Sequence, residues 1–186
     1  SETPLSFLRT GDLGFFQNDK LFICGRIKDL IISNGVNYYP QDIEAAAQDA
    51  SRAVRPGCVA AFSFNESSGD GRLEVVFEIR HSSKIAAAEV VQAVQSQISQ
   101  KIGLVPSRVV AIKERSICKT TSGNIQRRAT RSALHAGNLD VVCDWEKPNS
   151  ETDVLSKDDI PGAPLNTADN LLTRRPKKEQ PRICII

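Results

Sequence analysis

The stretch from Gly25 to Glu44, GRIKDLIISNGVNYYPQDIE, constrains the fold of this chain more than any other. Gly25-Arg26-Ile27-Lys28-Asp29 is a charged turn. Leu30-Ile31-Ile32 is an apolar run of buried-strand length, too short for a helix. Ser33-Asn34-Gly35 is a turn whose glycine answers a need for positive φ. Pro40 stands where a helix begins, because a proline in the first turn forfeits no helical hydrogen bond. A basic turn, a buried strand, a glycine turn and a helix start this close together form a built segment, not a connector.

The flanking sequence supplies the other elements. Arg9-Thr10-Gly11-Asp12-Leu13-Gly14 leads into a hairpin, with Gln17-Asn18-Asp19-Lys20 as its turn and Leu21-Phe22-Ile23-Cys24 as the returning strand. Gln41 to about Ser51 reads as an alanine-rich helix ended by Arg55-Pro56-Gly57, and Cys58 to Phe64 as a strand. Arg72 to Arg80 alternates apolar and polar residues, which predicts a half-buried strand with a wet outer face. Ser83 caps a helix running to Ile102 and stopped by Gly103. A strand from Arg108 to Lys113, a hydroxyl-rich loop from Lys119 to Asn124 and a basic helix from Ile125 to Ala136 complete the series. The order predicts an α+β fold, one small sheet with helices packed against it.

Four regions follow from the composition along the chain. Residues 1–24 are expected to be a hairpin running in from a missing partner domain, and 25–142 the folded subdomain. Residues 143–180, with prolines, acids early and bases late, are expected to be a disordered linker. Residues 181–186 turn apolar, which fits the truncated first strand of a following domain or a frayed tail end. The start at Ser1 and the lack of methionine lead us to expect a piece of a longer product.

A net charge of +2 gives no case for a nucleic-acid partner. No apolar run is long enough for a transmembrane helix, and no export signal is visible. The five scattered cysteines lack a C-x-x-C pair, so they read as reduced thiols of a cytoplasmic protein. Neither His81 nor His135 has a partner at catalytic or metal spacing, so both are expected at the surface, and no metal cluster is visible.

GRIKD, the RTGDLG hairpin and the loop Thr120-Thr121-Ser122-Gly123-Asn124-Ile125-Gln126-Arg127-Arg128-Ala129 together resemble the C-terminal subdomain of the acyl-adenylate-forming (AMP-dependent synthetase/ligase) superfamily. NYYPQDIE and the QRRA helix are most similar to fatty-acyl-AMP ligases. The resemblance implies a mobile C-terminal subdomain of an enzyme that activates a fatty acid with ATP to an acyl-adenylate and passes the acyl group to a carrier-protein thiol. ATP and Mg would be held mainly by the N-terminal adenylation subdomain of the same polypeptide. An acyl-CoA ligase and a degenerate domain that binds a ligand or partner without turnover are the alternatives.

The same resemblance implies the roles of single residues. Asp12 would accept hydrogen bonds from the ribose hydroxyls of ATP, a role two vicinal hydroxyls suit; the bland reading is a turn-capping aspartate. Arg26 would reach the nucleotide with its fork of donors, and Lys28 would be the hinge; both also fit a plain charged turn. Gly35 would face the thiol acceptor, lacking a side chain to obstruct it. Arg127, Arg128 and Arg131 would meet an acidic acyl carrier protein or else form a solvated basic face. The loop's lysine position, where a cation bridges carboxylate and α-phosphate, holds Asn124. An amide there forfeits about 3 kcal/mol of transition-state stabilisation, and Lys119 sits on the wrong side of the glycine turn to replace it. Without the large subdomain that the resemblance implies, the chain by itself is expected to be inactive.

Overall fold

The computed structural model describes residues 8–64, 71–148 and 183–185. Residues 65–70 and most of the expected linker lie outside the described residues. Two short hairpins open the fold. Strands β1 (Asp12–Gln17) and β2 (Lys20–Arg26) are joined through Asn18 and Asp19, at φ 49° and 58°. Strands β3 (Ile31–Ser33) and β4 (Val36–Tyr38) are joined through Asn34 and Gly35, at φ 50° and 71°. Positive φ at both central residues matches the right-handed twist of the strands, which is why Asn-Asp and Asn-Gly occupy these turns.

The main sheet has the strand order β5-β6-β7-β8, comprising Val54–Phe64, Arg72–Ile79, Arg108–Ile112 and Val141–Glu146. Strands β6 and β7 are parallel, and helix α2 (Ala87–Ile102) makes the crossover they require; the other pairs are antiparallel. Helix α1 (Pro40–Asp49) and α2 cover one face, burying Ile43, Ala47, Val91, Val94 and Ile98 against Ala61, Val75, Phe77 and Val109. Helix α3 (Arg127–His135) covers the other, where Leu134 and Ile117 meet Phe62, Val76, Val110 and Ile112. The α+β class expected from the sequence is the class found. Strand β9 (Ile183–Ile185) pairs antiparallel with β1, so the apolar end of the chain is extended there, with Cα partners in the first hairpin.

Local expectations gave way where packing overrode pattern. Strand β6 has no wet face, because α3 and the segment after β7 cover its polar side and bury Glu74 and Glu78. Each carboxylate has partners that make burial tolerable. Glu78 accepts hydrogen bonds from Arg55 Nη1 at 2.7 Å and the Ile117 amide at 2.9 Å. Glu74 lies 2.9 Å from His135 Nε2. His135 is thus not a plain surface residue: its ring also stacks on Phe64 with centroids 4.5 Å apart. Helix α2 starts at Ala87, since the Ser83 hydroxyl accepts the Ile85 amide in a local turn instead of capping the helix. Arg55-Pro56-Gly57 lies in a bulge of β5 where the register shifts between Val54 and Val59. The sheet also continues past residue 142: Cys143 and Trp145 pack toward the core, and Asp144 takes a forked pair of bonds from Arg108 at 2.6 and 3.0 Å.

Glu78 supplies a pH test. Burial alone would raise its pKa, but the amides of Ile117 and Arg115 and the Arg55 guanidinium outweigh it, holding the carboxyl below the ordinary 4.5. A depressed folded pKa gives stability that is complete above 4.5 and lost as pH falls through the lower folded value. Glu78→Gln is therefore expected to lower stability at neutral pH by about 1–3 kcal/mol. It should also flatten the acid limb of a stability–pH curve from urea titrations; an unchanged acid limb would show that the carboxylate is not linked to folding.

Candidate functional site

The first hairpin places Asp12 directly opposite Arg26, with Asp12 Oδ1 3.5 Å from Arg26 Nε. The carboxylate is one-third exposed and the guanidinium largely exposed, so both can reach a ligand. The Ile27 amide donates to the Gly11 carbonyl at 2.9 Å and closes the hairpin's open end. One residue further, Lys28 sits exposed in a 3-10 turn spanning Ile27–Asp29. The order of acid, guanidinium and pivot candidate is thus fixed by one hairpin and one turn. Gly35 occupies the tip of the second hairpin, and among the described residues nothing lies within 4 Å of a Cβ placed on it. The tip is open to an approaching group.

Asn124 lies in a closed loop. A bridge between Lys119 and Ile125 pins its ends, and Gly123 turns it at φ 84°. The Asn124 amide donates to Thr120 Oγ1 at 3.0 Å, and its carbonyl accepts the Thr120 amide at 2.9 Å. Its side chain makes only a 3.3 Å contact to Ser122 Oγ. Lys119 donates from Nζ to Cys58 Sγ at 3.1 Å, so its ammonium is engaged with the thiol of β5.

The three arginines of α3 separate into different roles. Arg127 grips Glu44 with two bonds, Nε to Oε1 at 2.6 Å and Nη2 to Oε2 at 2.7 Å, and reaches Asp29 at 3.4 Å. Glu44 Oε1 also accepts the Ala61 amide at 3.0 Å. Arg127 is therefore tied into the fold, linking α3 to α1 and to the turn that carries Lys28. Arg131 donates to the Ser63 carbonyl at 3.0 Å. Arg128 is exposed and has no hydrogen-bond or ion-pair partner among the described residues. Spacing showed that Arg127 and Arg131 share a helix face, but it could not show that this face packs on the edge of β5. The acids at Asp29 and Glu44, both inside the charged opening stretch, were the legible signal.

Lys28, Asp29 and Leu30 line one wall of a cleft whose floor is Ala61–Ser63 and whose far wall carries the three arginines. Its interior is about 20 Å³, room for one water. Among the described residues, no group of three or more His, Cys, Asp or Glu side chains is placed to hold a metal ion, so no step through magnesium is built from them. No helix among them is long and apolar enough to cross a membrane.

Residues 28–142 match the model of the Disco-interacting protein 2-like AMP domain. The chain is 43% identical over 142 residues to the medium-chain-fatty-acid–[acyl-carrier-protein] ligase JamA of Moorena producens, covering 75% of this chain and 23% of that protein. It is 36% identical over 154 residues to the long-chain-fatty-acid–AMP ligase FadD32 of Mycolicibacterium smegmatis, covering 72% of this chain and 24% of the relative. Among solved structures, the McyG A-PCP complex with phenylalanyl-adenylate superposes with a TM-score of 0.62 at 31% identity, over 69% of this chain and 20% of that one. A structure from work on fatty acyl-adenylate ligases of E. coli and L. pneumophila gives a TM-score of 0.59 at 30% identity, over 70% and 22%. The chain thus spans about a quarter of the length of the curated relatives it matches.

Proposed function

The chain belongs to the AMP-domain family of Disco-interacting protein 2-like proteins, among the adenylate-forming enzymes, and from that premise we propose that it is the mobile small subdomain of a fatty-acyl-AMP ligase-like enzyme. The observation that carries this reading is the Asp12–Arg26 pair placed one turn before Lys28. In the first half-reaction a fatty carboxylate attacks the α-phosphate of ATP, forming the acyl-adenylate and expelling pyrophosphate. In the second a thiol attacks the acyl carbon and AMP leaves. Asp12 accepts the ribose hydroxyls and Arg26 donates to phosphate, each using the only hydrogen-bonding sense its charge permits.

The two half-reactions need different groups at one centre, and rotation about Lys28 exchanges them. One pose brings in the loop with Asn124; the other brings the open Gly35 tip toward the thiol. Magnesium is assigned to the adenylation subdomain of the same polypeptide. An acyl carrier protein is the proposed acceptor, a reading supported by similarity to an acyl-carrier-protein ligase. Arg128 is the residue of α3 best placed to meet its acidic surface, since Arg127 is held by Glu44.

Asn124 favours a second reading, in which the fold binds a ligand or carrier without turnover. The full polypeptide separates the two. Incubated with ATP, a fatty acid and either a holo carrier protein or CoA, it is expected to release pyrophosphate and acylate the carrier. Acylation of CoA in place of the carrier would overturn the acceptor assignment. Carrier capture without any pyrophosphate release would establish the non-catalytic reading instead.

A further inference from the structure

The cleft between the Lys28 turn, the edge of β5 and α3 has a charge balance that its own ion pairs do not satisfy. Among the described residues four cations line it, Lys28, Arg127, Arg128 and Arg131, with one acid, Asp29. Arg127 is neutralised by Asp29 and by Glu44 just behind the wall. Arg131 is turned to the Ser63 carbonyl of the β5 edge. That leaves Lys28 and Arg128, on opposite walls, with no hydrogen-bond or ion-pair partner among the described residues. Both side chains line the same cleft without a compensating charge, and an anion within reach of both would supply it.

We propose that this cleft binds a phosphate-type oxyanion, held by Lys28 from one wall and by the forked guanidinium of Arg128 from the other. Two positive charges match the dianion of a phosphate monoester or of inorganic phosphate. The interior of about 20 Å³ excludes a sugar or a base, so the phosphate sits at the mouth and any organic remainder extends outward. Leu30 in the wall and Ala61 and Phe62 in the floor are apolar and offer no competing acceptor side chain. The inference stands on this geometry alone and does not require the adenylate-forming reading. Should that reading hold as well, the ligand would rest on the pivot lysine and bias the rotation.

The test uses this chain, with backbone amide NMR during titration by inorganic phosphate, pyrophosphate and glycerol phosphate at constant ionic strength. Shifts are expected at Lys28–Leu30, Ala61–Ser63 and Arg127–Arg131. Lys28→Ala and Arg128→Ala should each weaken binding about fivefold, the upper end for a solvent-exposed ion contact. Arg128→Lys should retain part of it, and Lys84→Ala, an exposed lysine that does not line the cleft, should change nothing. Equal binding of phosphate and glycerol phosphate would identify a lone phosphate group as the recognised unit. Preference for pyrophosphate would identify the diphosphate. Shifts spread over all exposed basic residues, or affinities unmoved by both alanine variants, would overturn the site. Both side chains are exposed, so loss of folding is not expected to obscure the result.

Discussion

Arg127→Ala is expected to destabilise the fold by about 3 kcal/mol, the low end of the cost of breaking a buried ion pair. The reason is what remains behind. Glu44 is 14% exposed and, among the described residues, would keep only the Ala61 amide as a donor, while Asp29 would lose its partner across the cleft. Arg127→Lys preserves the charge but not the forked geometry, so it should recover part of the loss without restoring the wild-type midpoint. Urea titration measures both. A midpoint for Arg127→Ala within about 0.5 kcal/mol of wild type would return Arg127 to a solvated basic face. The same pair of variants bears on carrier recognition. Once stability is accounted for, Arg127 variants should leave the carrier association rate unchanged, whereas Arg128→Ala should slow it, as removal of a rim charge does.

How far this was readable in the sequence depends on whether a feature is local. The Asn34-Gly35 and Asn18-Asp19 turns were legible because their chemistry is set within two residues. Pro40 and Gly103 marked the ends of helices for the same reason. Arg72 to Arg80 shows where legibility fails: alternation tells which residues share a face, and says nothing about what later covers that face. Glu74 and Glu78 look like solvent-facing charges until α3 and the Ile117 segment, at separations of 61 and 39 residues, supply His135 and a backbone amide. Glu44 to Arg127 spans 83 residues and was hidden for the same reason. Strand β8 was missed because Val141–Glu146 is short and largely exposed, held by edge pairing to β7 and by Arg108. At the proposed site, motif order picked out Asp12, Arg26 and Lys28 as candidates, and the hairpin pairs the first two. The separation of Arg127 from Arg128 needed the packing.

Asn124→Lys, made in the full polypeptide, is expected to raise pyrophosphate release with a long-chain acid about a hundredfold, the scale of a contact made to charge developing in the transition state. The loop can accept the change without rebuilding. Asn124 is exposed, and its two close bonds, to Thr120 Oγ1 and from the Thr120 amide, use its backbone, which lysine retains. Only the 3.3 Å side-chain contact to Ser122 is lost, so stability should move by no more than about 0.5 kcal/mol. Lys119 gives no reason to expect the gain to be already present, because its ammonium is held at Cys58. Asn124→Ala provides the control: if the amide contributes nothing to the reaction, release should stay at the parent level. A hundredfold gain would mean that the rest of the machinery is intact and that position 124 sets the rate. No gain at unchanged stability would mean that the limiting defect lies elsewhere, and the domain would then be better described as a binding module that kept the hairpins and the hinge turn.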